Sequence, residues 1–488
     1  MRASGILMPV SSLPGPFGIG TLGSEATAFV DFLAEAKQTY WQILPIGPTG
    51  YGDSPYQSFS AFAGNPYFID FRLLAADGYL TAEEIPAAQP VDTVDYGALY
   101  NQRPVLLKKA ADRLLAAPSP AYEDFCAAQS FWLEDYALFM ALKERFGGRS
   151  WQEWPQPIRL REPAALEEAR TRLAGEVSFW KGVQYLFCRQ WKKLKAYANE
   201  RGISILGDLP IYTALDSADV WSERKEFLLD ETGKPSRVAG VPPDYFSAEG
   251  QLWGNPLYDW AAMKADGFGW WIRRVEGASR LFDAIRIDHF RAFERYWSIP
   301  AGAETAKEGQ WEPGPGMDLL RVLTGWFPHI TYIAEDLGLL TPEVHQLREA
   351  AGLPGMKVLE FAFSDPGNAY LPHNYASRRC VCYTGTHDND TALGWYDHAG
   401  EAERAFAERY LGASGRENVR QALLRCGMGS TAELFVAQMQ DYLALGSEGR
   451  INVPGVAEGN WRWRMAPGAD TEELAAEIRA LTGTYSRC

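Results

Sequence analysis

Eight short apolar runs, separated by stretches of helical pattern, set the tightest limit on how this chain folds. They lie at residues 5–10, 40–46, 203–209, 282–288, 331–336, 356–361, 381–385 and 450–454. Runs of this length and composition read as strands covered on both faces, the habit of parallel sheets. Helices fit between them. Residues 24–37 place Phe29, Phe32, Leu33 and Ala36 at helical spacing. Residues 180–199 form a second helical stretch, stopped by Gly202 just before the third run. Thr341 and Pro342 supply an N-cap and a first-turn proline for another. Eight strands alternating with helices predict an α/β fold, a (β/α)8 TIM barrel, as one unit over residues 1–488.

The spacing of the runs is uneven, and that places the insertions. Between the second and third, residues 70–200 are mostly helical in pattern, with a capping box at Thr81-x-x-Glu84. This predicts an inserted helical subdomain. Residues 210–270 are rich in Gly, Pro and aromatics and predict a loop-rich insertion. Too little chain follows residue 454 for a C-terminal β-domain.

Charge and cysteine content narrow the function. The net charge of −15 disfavours nucleic acid and anionic lipid as partners. No run of about 18 apolar residues marks a membrane span. The opening residues do not read as a signal peptide. Six scattered cysteines without a C-x-x-C pair fit reduced thiols and a cytoplasmic protein, with no zinc site. Gly18-x-Gly20-x-x-Gly23 matches a dinucleotide fingerprint only in letters. A proline-containing loop parts it from the strand, and the next strand lacks the ribose-binding acid, so these read as turn glycines. No cofactor and no metal is implied. Aromatics are the outlier at 13%: most belong to the core, but flat rings along a groove would suit sugar faces.

Three acids close three of the runs: Asp288, Glu335 and Asp388. Barrel enzymes draw their catalytic groups from that rim. Arg286 lies two residues before Asp288, on the same strand face. A fixed cation there favours the ionised carboxylate that a nucleophile needs. Glu335 follows Tyr-Ile-Ala, where desolvation raises a carboxyl toward a general acid. Asp388 stands in the dense polar string GTHDNDT, beside His387. Two carboxyls in opposed environments plus a third, in an aromatic-rich barrel, describe glycosidic bond chemistry.

Several segments together resemble the amylomaltases, the 4-α-glucanotransferases or disproportionating enzymes of the α-amylase superfamily. They are GYGDSPYQ at 50–57, GDLPIY at 207–212, GQLWGNP at 250–256, RIDH at 286–289, AEDLG at 334–338, GTHDND at 385–390 and GNWRWR at 459–464. The resemblance covers nearly the whole chain. It implies Asp288 as nucleophile, Glu335 as general acid/base and Asp388 as transition-state stabiliser. It implies sugar contacts from Tyr56, Asp208, Arg286 and His387, a lid residue in Trp253, a donor-side contact from Asn460, and a second glucan groove at Tyr51. The substrates implied are an α-1,4-glucan donor and a glucose or maltooligosaccharide acceptor. Ordinary amylases of that superfamily carry a histidine shortly after the aspartate equivalent to Asp208; here Leu-Pro-Ile-Tyr-Thr follows, with none. A hydrolase on the same fold, or a glucan-binding protein without activity, are the alternatives. Retention of three acids and Arg286 speaks against the second.

Overall fold

The structure is a computed structural model that describes residues 2–50, 52–88, 91–243, 248–338 and 340–488. Twelve strands occur among the described residues. In chain order they are β1 (Ala3–Leu7), β2 (Tyr40–Gln42), β3 (Ser204–Leu209), β4 (Arg237–Val241), β5 (Gln251–Pro256), β6 (Ala284–Ile287), β7 (Arg295–Pro300), β8 (Gln310–Pro313), β9 (Thr331–Ala334), β10 (Gly355–Val358), β11 (Cys380–Tyr383) and β12 (Leu434–Gln438). Eight of them form one parallel sheet in the order β10-β11-β12-β1-β2-β3-β6-β9. The Ala334 N–H donates to the Pro354 carbonyl at 2.9 Å, joining the two ends of that order and closing the (β/α)8 barrel.

Seven barrel strands lie where the apolar runs predict them. The eighth does not. Residues 450–454 form no strand, and the barrel is completed by β12, whose five residues are all buried. β12 pairs with β1 from Ala3↔Leu434 to Leu7↔Gln438 and with β11 on its other side. Two open edges needed a partner, and Leu-Phe-Val-Ala-Gln supplies it with apolar side chains for both faces. Among the described residues no strand follows Gln438.

The remaining four strands make an antiparallel sheet, β5-β4-β7-β8, that the sequence reading did not foresee. Residues 210–270 are therefore more regular than a loop: they hold a helix at Ala218–Ser222, the β4–β5 pair and a helix at Trp260–Ala265. Between β2 and β3 the chain is helical, with Tyr96–Ala116, Pro120–Ala128, Ser130–Arg145, Pro163–Arg172 and Ala174–Glu200 as its main elements. The capping box at Thr81 is present, with the Thr81 N–H donating to Glu84 Oε2 at 2.9 Å.

A continuous apolar core fills the barrel and runs into the helical insertion, where Phe139 and Trp154 pack together with Trp221. Most of the aromatic excess is spent there. Gly20 lies in a turn where a Cβ would stand 1.8 Å from the Val10 carbonyl, a packing role rather than a phosphate cradle. All six cysteines are free thiols. Among the described residues no helix is long and apolar enough to cross a membrane.

Candidate active site

The site is built on the C-terminal ends of β3, β6, β9 and β11. In the ladder between β6 and β9 the last register pair is Ile287↔Ala334. The backbone ladder continues one step further: the Glu335 N–H donates to the Ile287 carbonyl, and the Asp288 N–H to that of Leu209, both at 3.0 Å. Asp288 and Glu335 therefore stand side by side on adjacent strands, about 4.8 Å apart at the backbone.

One cation organises two of the acids. Arg286 faces Asp208 across the ladder, as the register requires. Its Nη1 donates to Asp208 Oδ1 at 2.8 Å and Oδ2 at 2.7 Å, and to Asp288 Oδ1 at 3.0 Å. Asp208 is fully buried, whereas Asp288 keeps part of its carboxyl open. Burial opposes the Arg286 charge, but Asp208 and Asp288 outweigh it and hold the guanidinium protonated. Burial likewise pushes Asp208 above its ordinary range, with Arg286 pulling the other way.

Glu335 has the opposite setting. Burial pushes its carboxyl up to about 7; Arg286 draws it down and Asp288 pushes it further up. Two backbone donors hold it, the His289 N–H on Oε2 at 2.8 Å and the Leu337 N–H on Oε1 at 2.9 Å. His289 takes a left-handed conformation, φ 49°, to aim that N–H. One carboxyl beside a cation and a second desolvated beside it is the division of labour that double displacement needs.

The third acid sits on a tight turn after β11. Asn389 Oδ1 accepts from the Thr386 N–H at 3.0 Å and from its hydroxyl at 2.9 Å, and the Asn389 N–H closes on the Thr386 carbonyl. Gly385 enters this turn where a Cβ would lie 2.6 Å from Glu360 Oε1. The turn presents His387, buried, and Asp388, half open, with His387 Nε2 3.4 Å from Asp388 Oδ1. Tyr56 stacks on the His387 ring at 5.1 Å and donates its hydroxyl to Asp208 Oδ2 at 2.8 Å. Burial pushes the Tyr56 phenol well up, so it remains a donor. Tyr56, Asp208, Arg286, Asp288 and the 387–388 pair thus form one connected cluster, with Glu335 beside Asp288.

Trp253 stands on β5, not on a loop. Its indole meets the His289 ring edge-on at 4.9 Å and 86°, which places it over the residue after Asp288. Asn460 uses its side chain on its own segment, accepting from the Val453 N–H at 2.9 Å and donating to the Val456 carbonyl at 2.8 Å. Its neighbour Trp461 reaches the cluster instead, 5.9 Å from the Tyr56 ring and 6.0 Å from His387. Tyr51 lies outside the described residues. Among those described, no group of three or more His, Cys, Asp or Glu is placed to hold a metal ion.

The sequence profile of the 4-alpha-glucanotransferase family matches residues 8–470. The chain belongs to the 4-alpha-glucanotransferase family. The 4-alpha-glucanotransferase of Thermus thermophilus is 53% identical, over all of this chain and 99% of that one. The chloroplastic/amyloplastic 4-alpha-glucanotransferase of Solanum tuberosum is 43% identical, over all of this chain and 86% of that one. Among solved structures, the amylomaltase of Streptococcus agalactiae in complex with acarbose superposes with a TM-score of 0.96 at 41% identity, each chain covered in full.

Three residues of this transferase's site were missed from sequence. Trp461 lies within the GNWRWR segment but carries no polar signal. Asn452 sits in the run misread as the eighth strand. The His289 ring, half-buried and pushed down to about 4 by desolvation, was hidden beside the more telling Asp288.

Proposed function

We propose that this 4-alpha-glucanotransferase works by a retaining double displacement on α-1,4-glucans. Asp288 attacks C1 of the donor sugar while Glu335 protonates the departing 4-oxygen. The donor segment is left as a glucosyl ester of Asp288. Glu335, now a carboxylate, takes the proton from the 4-hydroxyl of a glucose or maltooligosaccharide acceptor. That oxygen attacks C1, the ester breaks, and a new α-1,4 bond forms. The observation that carries this reading is the pairing of Asp288 beside Arg286 with Glu335, desolvated toward neutral pH, on adjacent strand ends. Asp388 would hold the distorted sugar through its hydroxyls. Tyr56, Asp208, Arg286 and His387 would shape the cleavage subsite, with Trp253, Asn460 and Tyr51 as outer contacts.

Transfer must outrun water at about 55 M. A sugar held in line with the intermediate gains effective molarities of roughly 10⁵ M or more. Trp253 over His289 supports a role in excluding water from the ester. We further read residues 70–200 as a helical subdomain and residues 210–270 as carrying the lid. We place the protein in the cytoplasm, where its buried thiols, such as Cys382, pushed up to about 11 by burial, would stay reduced.

The test is incubation with maltotriose alone, resolving products by length while counting reducing ends. Glucose plus a ladder of longer oligosaccharides at constant reducing ends is expected. Rising reducing ends with only shorter products would make the chain a hydrolase in practice. Asp288→Asn should abolish both, since an amide cannot form the ester; full activity there sinks the nucleophile assignment.

A further inference from the structure

Asp388 is held from outside its own turn. The segment 450–454, which is not a strand, passes beside it and offers two donors. Asn452 is nine-tenths buried, and its Nδ2 donates to Asp388 Oδ1 at 2.6 Å. His387 Nε2 lies 3.4 Å from that same oxygen. Among the described residues no donor reaches Oδ2, and the Asp388 side chain is 45% exposed. Arg450, on the same segment as Asn452, does not touch the carboxylate. Its Nη2 donates to the Asp388 backbone carbonyl and its Nε to that of Asn452, each at 2.8 Å.

The choice of partners is informative. A guanidinium on the carboxylate would form a charge-assisted, often bidentate pair and occupy both oxygens. A carboxamide anchors one oxygen and adds no charge. The rotamer is fixed while the other oxygen keeps its negative charge for substrate. The cation is spent on the backbone, where it fixes the position of the turn.

We propose that Asn452 is a positioning residue for transfer: it clamps Oδ1 of Asp388 so that Oδ2 is presented to the hydroxyls of the distorted sugar. This rests on Asp388 acting as the stabilising acid, which Asp388→Asn tests separately. If that variant keeps full activity, the reading of Asp388 fails before Asn452 is considered.

Two substitutions test the clamp itself, assayed by maltotriose disproportionation across pH. Asn452→Leu removes the donor at similar size. It should lower kcat and kcat/KM together, on the order of 10–100-fold, at every pH, because the lost contact matters most in the transition state. Asn452→Asp is nearly isosteric and turns the contact into a carboxyl pair. The charged and titratable groups around it are Asp388 and His387 from the turn after β11, and Arg450 from its own segment, itself 3.8 Å from Asp390. Two carboxylates this close do not both ionise, so one holds a proton well above its ordinary range. At acid pH the introduced carboxyl, in its protonated form, donates to Asp388 and activity is recovered. As pH rises through that ionisation the pair repels and activity falls, earlier than in the parent enzyme. Wild-type kcat in Asn452→Leu overturns the proposal. So does an Asn452→Asp profile that tracks either the parent or Asn452→Leu at all pH values, the latter marking Asn452 as merely structural.

Discussion

Replacing Arg286 by Met gives the sharpest test of how the site is held. The substitution keeps the apolar stem and removes the charge. In the native site that charge meets both oxygens of Asp208, at 2.8 and 2.7 Å, and Asp288 at 3.0 Å. Arg286 is 4% exposed and Asp208 not at all, so water cannot replace the lost partner. Orphaning one member of a buried pair costs about 3–5 kcal/mol. Against a total stability of about 5–15 kcal/mol, the melting temperature should fall clearly. A second consequence concerns Glu335. Arg286 is what restrains the upward push of burial, and Asp288 adds to that push. Without the cation, Glu335 should hold its proton to higher pH than about 7, by about one unit. The assay is an infrared titration of the Glu335 carboxyl, identified by difference against Glu335→Gln, which works even where turnover is lost. Adding Asp208→Asn to Arg286→Met removes the orphaned charge; stability should return while activity does not. An unchanged melting temperature in Arg286→Met, or a Glu335 titration moved toward acid, would refute the reasoning.

Other outcomes follow from the same geometry. Glu335 holds its proton more tightly in the folded state, about 7 against an ordinary 4.5. Its contribution is therefore intact below pH 4.5 and is lost as pH rises through 7. The parent should lose about 3 kcal/mol of stability between about pH 4 and pH 8 that Glu335→Gln does not lose; denaturant melts at both pH values measure this, and equal losses contradict it. Trp253→Ala opens the space over His289 and should raise hydrolysis relative to transfer several-fold, read as new reducing ends per transfer event; an unchanged ratio removes Trp253 from water exclusion. Gly385→Ala would place its Cβ 2.6 Å from Glu360 Oε1, 2.8 Å from Gln438 Nε2 and 2.9 Å from the Asn389 Cβ. Overpacking of this kind costs about 1–3 kcal/mol, and the displaced turn should lower kcat; a variant with native melting and native rate shows the turn to be looser than drawn.

The barrel and its three acids were legible because both depend on local signals. A parallel strand buried on both faces is a short apolar run, and a charge that ends such a run stands out. Asp288 and Glu335 are of this kind, and Asp388 stands out in the dense polar string just after the run 381–385. The eighth strand was missed because Leu434–Gln438 runs directly into the short buried helix Met439–Tyr442, with no Gly or Pro turn to mark its end. What selects it is pairing with β1, at the opposite end of the chain, which no local pattern reveals. The antiparallel sheet escaped for a related reason. Its strands carry Gly and Pro, which argue against strands in isolation. Gly240 is needed there because the Gln251 carbonyl would lie 2.2 Å from any Cβ. Trp253 was therefore expected on a lid loop and stands on β5 instead. Asn452 and Trp461 reach the site through contacts with Asp388 and Tyr56, and their own neighbours in sequence give no hint of it.

The seam between β1 and β12 also sets a timetable for synthesis. β1 finds one neighbour early, in β2, but its other edge stays bare until residues 434–438 exist. At about 5–20 residues per second, that edge waits roughly 20–90 s on the ribosome. Arg487 then reinforces the seam by donating to the carbonyls of Ala3, Met428 and Ala432, and Arg2 by donating to that of Ser430. The nascent barrel is therefore an open sheet with an apolar, unpaired margin for most of its birth, a state prone to pairing with other chains.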